Sequence, residues 1–141
     1  MTVVYAESSA VLTWLLGEPG QDAVIRVLES AESTVTSAIT VVECARALVR
    51  ARHTRRITAA DETAALRLLD DTSQAWNILD VTDDVIAAAC RRFPHEPVRS
   101  LDALHLASAM TLRDALGALQ VVSLDDRVRR NAAALGMMVG P

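Results

Sequence analysis

VVYAESSAVL, residues 3–12, joins two patterns at a single charged residue. Val3 to Ala6 is an apolar, β-branched run with the character of a buried strand. From Ser8 the apolar residues fall at helical spacing, and the helix reads on to about Leu16. Glu7 stands at the seam. A buried strand that turns at once into a helix is the first half of a crossover, and the same alternation recurs along the chain. GEPG (Gly17 to Gly20) stops the first helix, and a second follows over Asp22–Ala31. STVTS (Ser33 to Ser37) reads as a second strand. A helix from Ala38 to about Arg52 comes next. Another starts at Thr58, its N-cap, with Asp61 and Glu62 in the first turn. AWNILDV (Ala75 to Val81) reads as a third strand, and Thr82 caps the helix after it. FPHEPVRS (Phe93 to Ser100) is a loop, followed by a helix from Leu101 to about Asp114. ALQVVS (Ala118 to Ser123) is a fourth strand. Asp125 to Leu135 is helical, Gly136 ends it, and MMV offers a short fifth strand. Strands separated by helices favour parallel pairing, because parallel neighbours need long crossovers. The expected fold class is therefore α/β: an open, mostly parallel sheet of four to five strands with helices on both faces.

Composition agrees with one packed domain over residues 1–141. Of the 141 residues 51% are hydrophobic, enough for a sizeable core and too many for disorder. No apolar run approaches the ~20 residues of a membrane helix, so no membrane partner is expected. No basic segment precedes the first apolar run, so no signal peptide is expected and the cytoplasm is the expected location. Cys44 and Cys90 both lie in apolar helical patterns, which predicts two buried thiols rather than a disulfide or a metal site. The net charge of −4 argues against a surface coated for nucleic acid but leaves room for a local basic patch. RALVRARHTRR (Arg46 to Arg56) concentrates five arginines. It is either a phosphate-contacting patch or a solvated, acid-paired face.

In an open α/β sheet, ligands bind outside the carboxyl ends of the strands. Glu7 follows the first strand there, and Asp125 follows the fourth. Glu43 lies less than two turns into the helix after the second strand, among apolar neighbours. Asp102 lies in the first turn of a largely apolar helix. Taken singly, Asp125 reads as a cap and Asp102 as a partner of its helix dipole. Glu43 is harder to explain so, because a buried lone carboxylate is costly. Two carboxylates 4 Å apart repel by about 4 kcal/mol at an effective dielectric of about 20. Acids gathered at one edge therefore call for a cation or shared protons. Oxygen donors without a His or Cys cluster suit Mg²⁺ or Mn²⁺ rather than Zn²⁺.

These four motifs resemble the PIN-domain family, and most closely the VapC-type toxins of bacterial type II toxin–antitoxin modules. YAESSAVL resembles the family's strand-ending acid motif, with Glu7 where the family carries Asp and Ser9 in the serine position. TVVECARAL resembles its helical Glu motif at Glu43. LDALHLASA matches at Asp102, Ala103 and His105. VVSLDDRVRRNAAALG resembles the motif after the fourth strand, with Ser123 and Asp125. The resemblance implies a single PIN-like domain and a metal-dependent endoribonuclease. Glu7, Glu43, Asp102 and Asp125 would hold Mg²⁺, with Mn²⁺ as the alternative. A metal-activated water would cleave RNA phosphodiester bonds. Ser9 and Ser123 are candidates for orienting carboxylates, with turn or cap hydroxyls as the plain alternative. His105 reads as a supporting histidine rather than a base, and Arg99 as a substrate contact. The implied partners are RNA, a cognate antitoxin and a second copy of the chain. The apolar helix with Trp14 is either part of such an interface or core.

Two other function classes compete. A non-catalytic PIN-like module would bind RNA or protein with a decayed metal site, marked by Glu7. A Mg²⁺-dependent phosphatase on a similar sheet usually places a nucleophilic Asp after the first strand, which Glu7 makes unattractive.

Overall fold

The computed structural model describes residues 2–141, which form seven helices and a five-stranded sheet. β1 (Val3–Ala6), β2 (Ser33–Ser37), β3 (Asn77–Leu79), β4 (Gln120–Val122) and β5 (Met138–Gly140) are ordered β3-β2-β1-β4-β5. Every adjacent pair is parallel. The sheet thus has the expected class and exceeds expectation in being parallel throughout. α1 (Ser8–Leu16) and α2 (Gln21–Ser30) cross from β1 to β2, and α3 (Ala38–His53) and α4 (Ala59–Ala75) from β2 to β3. α5 (Asp83–Ala89) and α6 (Ser100–Leu116) then carry the chain from one edge back past β1 to β4. α7 (Asp126–Ala134) leads to β5.

β1 is central and buried along its whole length. Alternate side chains enter opposite faces, as a strand requires. Val3 and Tyr5 pack with Val121, Leu106 and Val128, beneath α6 and α7. Val4 packs with Ala10 and Val24, and Ala6 with Val11, Cys44 and Leu48, beneath α1 to α4. Each fully buried aliphatic side chain contributes roughly 1.5–3 kcal/mol of transfer free energy. The chain moves one way from β1 with helices on one face, and returns the other way with helices on the opposite face. This exchange keeps both crossovers of one hand.

Two local expectations need correction. The third strand is shorter than Ala75–Val81, because α4 runs through Ala75 and Trp76 caps it. Cys44 is buried, but Cys90 is exposed. Cys90 sits at the C-cap of the short α5, which buries Val85. Trp14 stacks on Trp76, with ring centroids 5.9 Å apart and planes 25° from parallel, so packing accounts for much of its apolar surface. No helix among the described residues is long and apolar enough to cross a membrane.

Candidate active site

Strand order reverses at β1: the chain first builds outward through β2 and β3, then restarts on the other side with β4. The gap at the carboxyl ends of β1 and β4 is thus a topological switch point, where α/β sheets take their ligands. Glu7 leaves β1 there, its N–H donating to Val122 O at 2.9 Å. Thr36 Oγ1 donates to Ala6 O at 2.5 Å and pins the preceding peptide.

Glu7 is 4% exposed, and one of its oxygens is heavily used. Oε2 accepts from Ser9 N at 3.1 Å, Ser9 Oγ at 2.5 Å and Ser123 Oγ at 2.7 Å. Glu7 also N-caps α1 through the first of these bonds. Ser9 and Ser123 therefore orient this carboxylate as expected, and their hydroxyls lie 3.2 Å apart. Ser123 Oγ accepts from Asp125 N at 3.1 Å, which links the ends of β1 and β4. Asp125 caps α7, its Oδ1 accepting from Arg127 N at 2.9 Å and Val128 N at 3.1 Å. The capping explanation of Asp125 is therefore correct as far as it goes, and it uses one of the two oxygens.

Asp102 faces these two acids from the first turn of α6. Burial, then the charges of Asp125 and Glu7, hold its carboxyl above the usual range, against a weaker pull from Arg99 and His105. Arg99 Nε lies 4.0 Å from Asp102 Oδ2 and its side chain is mostly exposed, so it neutralises little. Asp102 thus shares one field with Asp125 and Glu7, opposed in part by Arg99 and His105.

Glu43 belongs to a different network. His105 Nε2 lies 2.6 Å from Glu43 Oε1, and Ser8 Oγ donates to the same oxygen at 2.8 Å. Burial raises the Glu43 carboxyl, but the hydrogen bond and charge of His105 and the hydroxyl of Ser8 together outweigh it and hold it below its ordinary range. His105 is 1% exposed, and its Nδ1 lies 2.7 Å from the Tyr5 hydroxyl. Burial, then the Glu7 charge, raises Tyr5 far above an ordinary phenol, so it keeps its proton. Nε2 thus meets the ionised Glu43, and Nδ1 meets the Tyr5 hydroxyl. His105 is thus a buried strut between β1 and α3. Tyr5→Phe leaves Nδ1 without a partner in the core and costs about 1–3 kcal/mol. The urea midpoint should fall at constant m-value, and an unchanged midpoint would show that the strut bears no load.

All four acids lie at the carboxyl edge, but they do not close into one ligand cage. Among the described residues, no group of three or more His, Cys, Asp or Glu side chains is placed to hold a metal ion by itself. Glu7, Asp102 and Asp125 form one half and Glu43 the other, with Glu7 near both. Sequence reasoning missed Ser8 and Tyr5. The available signal was the chain's one tyrosine, a hydroxyl inside an otherwise apolar strand.

A parallel sheet presenting acids from the ends of β1 and β4 and from α3 and α6 is the framework of one protein class. The PIN domain model matches residues 4–135, and the chain belongs to the PIN-domain family. Among curated proteins it is similar to Ribonuclease VapC46 of Mycobacterium tuberculosis, at 34% identity over 139 residues, covering 99% of this chain and 97% of that protein. Among solved structures it is similar to Mycobacterium tuberculosis VapC20, a sarcin–ricin-loop-cleaving toxin. That match has a TM-score of 0.68 at 18% identity and covers 98% of this chain and 99% of that one. VapBC2 from Rickettsia felis, bound to a promoter DNA fragment, matches with a TM-score of 0.68 at 12% identity, covering 98% and 97%.

Proposed function

We propose that this chain is a metal-dependent endoribonuclease toxin held inactive by a cognate antitoxin. The observation that carries the reading is the gathering of Glu7, Asp102 and Asp125 at the switch point, where burial and then the charges of Asp125 and Glu7 raise Asp102. The family relationship points the same way, since a relative that aligns end to end bears the name ribonuclease. The donor chemistry fits a hard divalent cation: all oxygen, excess negative charge, and in Glu7 and Asp125 one carboxylate oxygen anchored and one unclaimed. Glu7, Asp102 and Asp125 would hold Mg²⁺ or Mn²⁺, with Glu43 as the fourth acid of the set. The lack of a closed cage suits Mg²⁺, which keeps several of its own waters. When bound, such an ion supplies a water of lowered pKa and neutralises charge on the phosphate. The chain's part is to aim the carboxylates. Ser9 and Ser123 fix Glu7, the α7 N-terminus fixes Asp125, and the His105 strut keeps Glu43 ionised.

Partners follow from the same reading. A cavity of about 420 Å³ beside Glu43 is walled by Leu12, Ile39, Val42 and Leu101. Val42 is 62% exposed and Leu101 46%, which suits an antitoxin segment covering the site, or a second copy of the chain.

Metal binding is testable without activity. Mg²⁺ or Mn²⁺ should raise the melting temperature, because an ion bound by the folded state alone stabilises it. Asp102→Asn should remove most of that shift. In EDTA the same variant should melt no lower than wild type, because it relieves repulsion from Asp125 and Glu7. A variant that responds to metal like wild type would defeat the metal site. RNA that stays intact with wild-type protein and added metal would favour the non-catalytic module instead.

A further inference from the structure

We propose that Arg50, supported by Arg46, forms a phosphate-gripping subsite that holds the RNA backbone to one side of the bond being cut; this rests on the endoribonuclease reading above. Arg50 stands where three surface cavities meet. The largest, of about 620 Å³, has Ser9 in its wall together with Thr13, Thr54 and Arg56. Ser9, which hydrogen-bonds Glu7, brings this cavity to the edge of the acid site. The second, of about 420 Å³, contains Glu43, Arg46 and Arg50. The third, of about 340 Å³, is formed by Arg46, Val49, Arg50 and His53 on the outer face of α3. Arg50 lines all three and so joins the cavity that contains Glu43 to the basic outer face of α3.

The charge of Arg50 is not consumed within the protein. Arg56 pairs with Glu18 at 3.5 Å, and Arg99 approaches Asp102 at 4.0 Å. Among the described residues neither Arg46 nor Arg50 has a carboxylate within 4 Å. An exposed guanidinium beside acids that it does not neutralise is available to an incoming anion. A polynucleotide with one phosphate at the acids must place the next a nucleotide's length away. Arg46 and Arg50 are one turn apart on α3, a rise of about 6 Å, and both line the cavity that contains Glu43. Of the two readings left open for the Arg46–Arg56 run, the unpaired state of Arg46 and Arg50 supports phosphate contact.

The test is binding of a fluorescein-labelled hairpin oligoribonucleotide to the metal-free protein, followed by anisotropy over a range of salt concentrations. Arg50→Ala should weaken binding about tenfold at low salt and reduce the salt slope by about one. Arg50→Lys should keep the slope but recover only part of the affinity, because a point charge replaces a fork. Arg67→Ala, on α4, should behave as wild type. With metal present, Arg50→Ala should raise KM for RNA far more than it lowers kcat. Wild-type affinity and slope for Arg50→Ala would overturn the subsite while leaving the nuclease reading intact. Loss of antitoxin affinity with unchanged RNA affinity would overturn it in favour of a protein contact. Failure of the wild type itself to bind or cut RNA would remove the nuclease reading, and the subsite with it.

Discussion

Asp125→Asn should lower RNA cleavage by about three orders of magnitude, equivalent to about 4 kcal/mol of transition-state stabilisation, and should leave the melting temperature of the metal-free protein nearly unchanged. The separation arises because Asp125 does two jobs with two oxygens. Oδ1 accepts from Arg127 N and Val128 N and caps α7. Asn caps a helix as well as Asp does, so the fold keeps that contact. What the substitution removes is the negative charge facing Asp102 and Glu7, and with it much of the attraction for a divalent cation. Initial rates on a hairpin RNA in Mg²⁺, beside a thermal melt in EDTA, measure both quantities. Activity above a tenth of wild type would mean that Asp125 is a cap and nothing more.

Glu7→Asp should lower activity by about 10- to 100-fold, the range typical when the groups orienting a metal ligand are disturbed. The family carries Asp at this place, so one could expect the substitution to repair a decayed site. The structure argues otherwise. Oε2 is met by three donors from Ser9 and Ser123 at 2.5–3.1 Å, placed for the reach of a glutamate. Removing a methylene draws the carboxylate back by about 1.5 Å, one C–C bond, and those donors cannot all follow. Ser123 also holds Asp125 N, and Ser9 Oγ accepts from Leu124 N at 2.9 Å. Rates should be compared in Mg²⁺ and Mn²⁺. A rise in activity for Glu7→Asp would show that the pocket still suits the shorter acid. Equal activity for wild type, Glu7→Asp and Glu7→Gln would remove Glu7 from the chemistry.

Much of the fold was legible because its signals are local. Thr58 with Asp61 forms a capping box at the start of α4, as their spacing predicts. Gly17 takes the left-handed conformation that ends α1, with φ of 63°. The shortfall at β3 came from the same local logic. AWNILDV has strand character throughout, but an edge strand pairs on one side, and α4 claims its first residue. Cys90 was misjudged because periodicity marks which face of a helix is apolar, not whether another element covers it.

The site divides in the same way. That acids follow β1 and β4 and interrupt apolar helices is written in the order of residues, and so is the family they belong to. Strand and helix patterns, caps and the class of sheet depend on neighbours a few positions apart, and the sequence by itself determines them. Strand order does not follow from local pattern. Only the tertiary structure puts β4 beside β1, which brings Ser123 against Glu7 across 116 positions and His105 against Tyr5 across 100. It alone separates Glu43, tied to His105 and Ser8, from the three acids that repel one another. It alone leaves Arg50 unpaired at the junction of three cavities. The reason is physical: charge interactions and hydrogen bonds act through a few ångströms of space, and the packing of both faces of the sheet decides which distant residues come within that range.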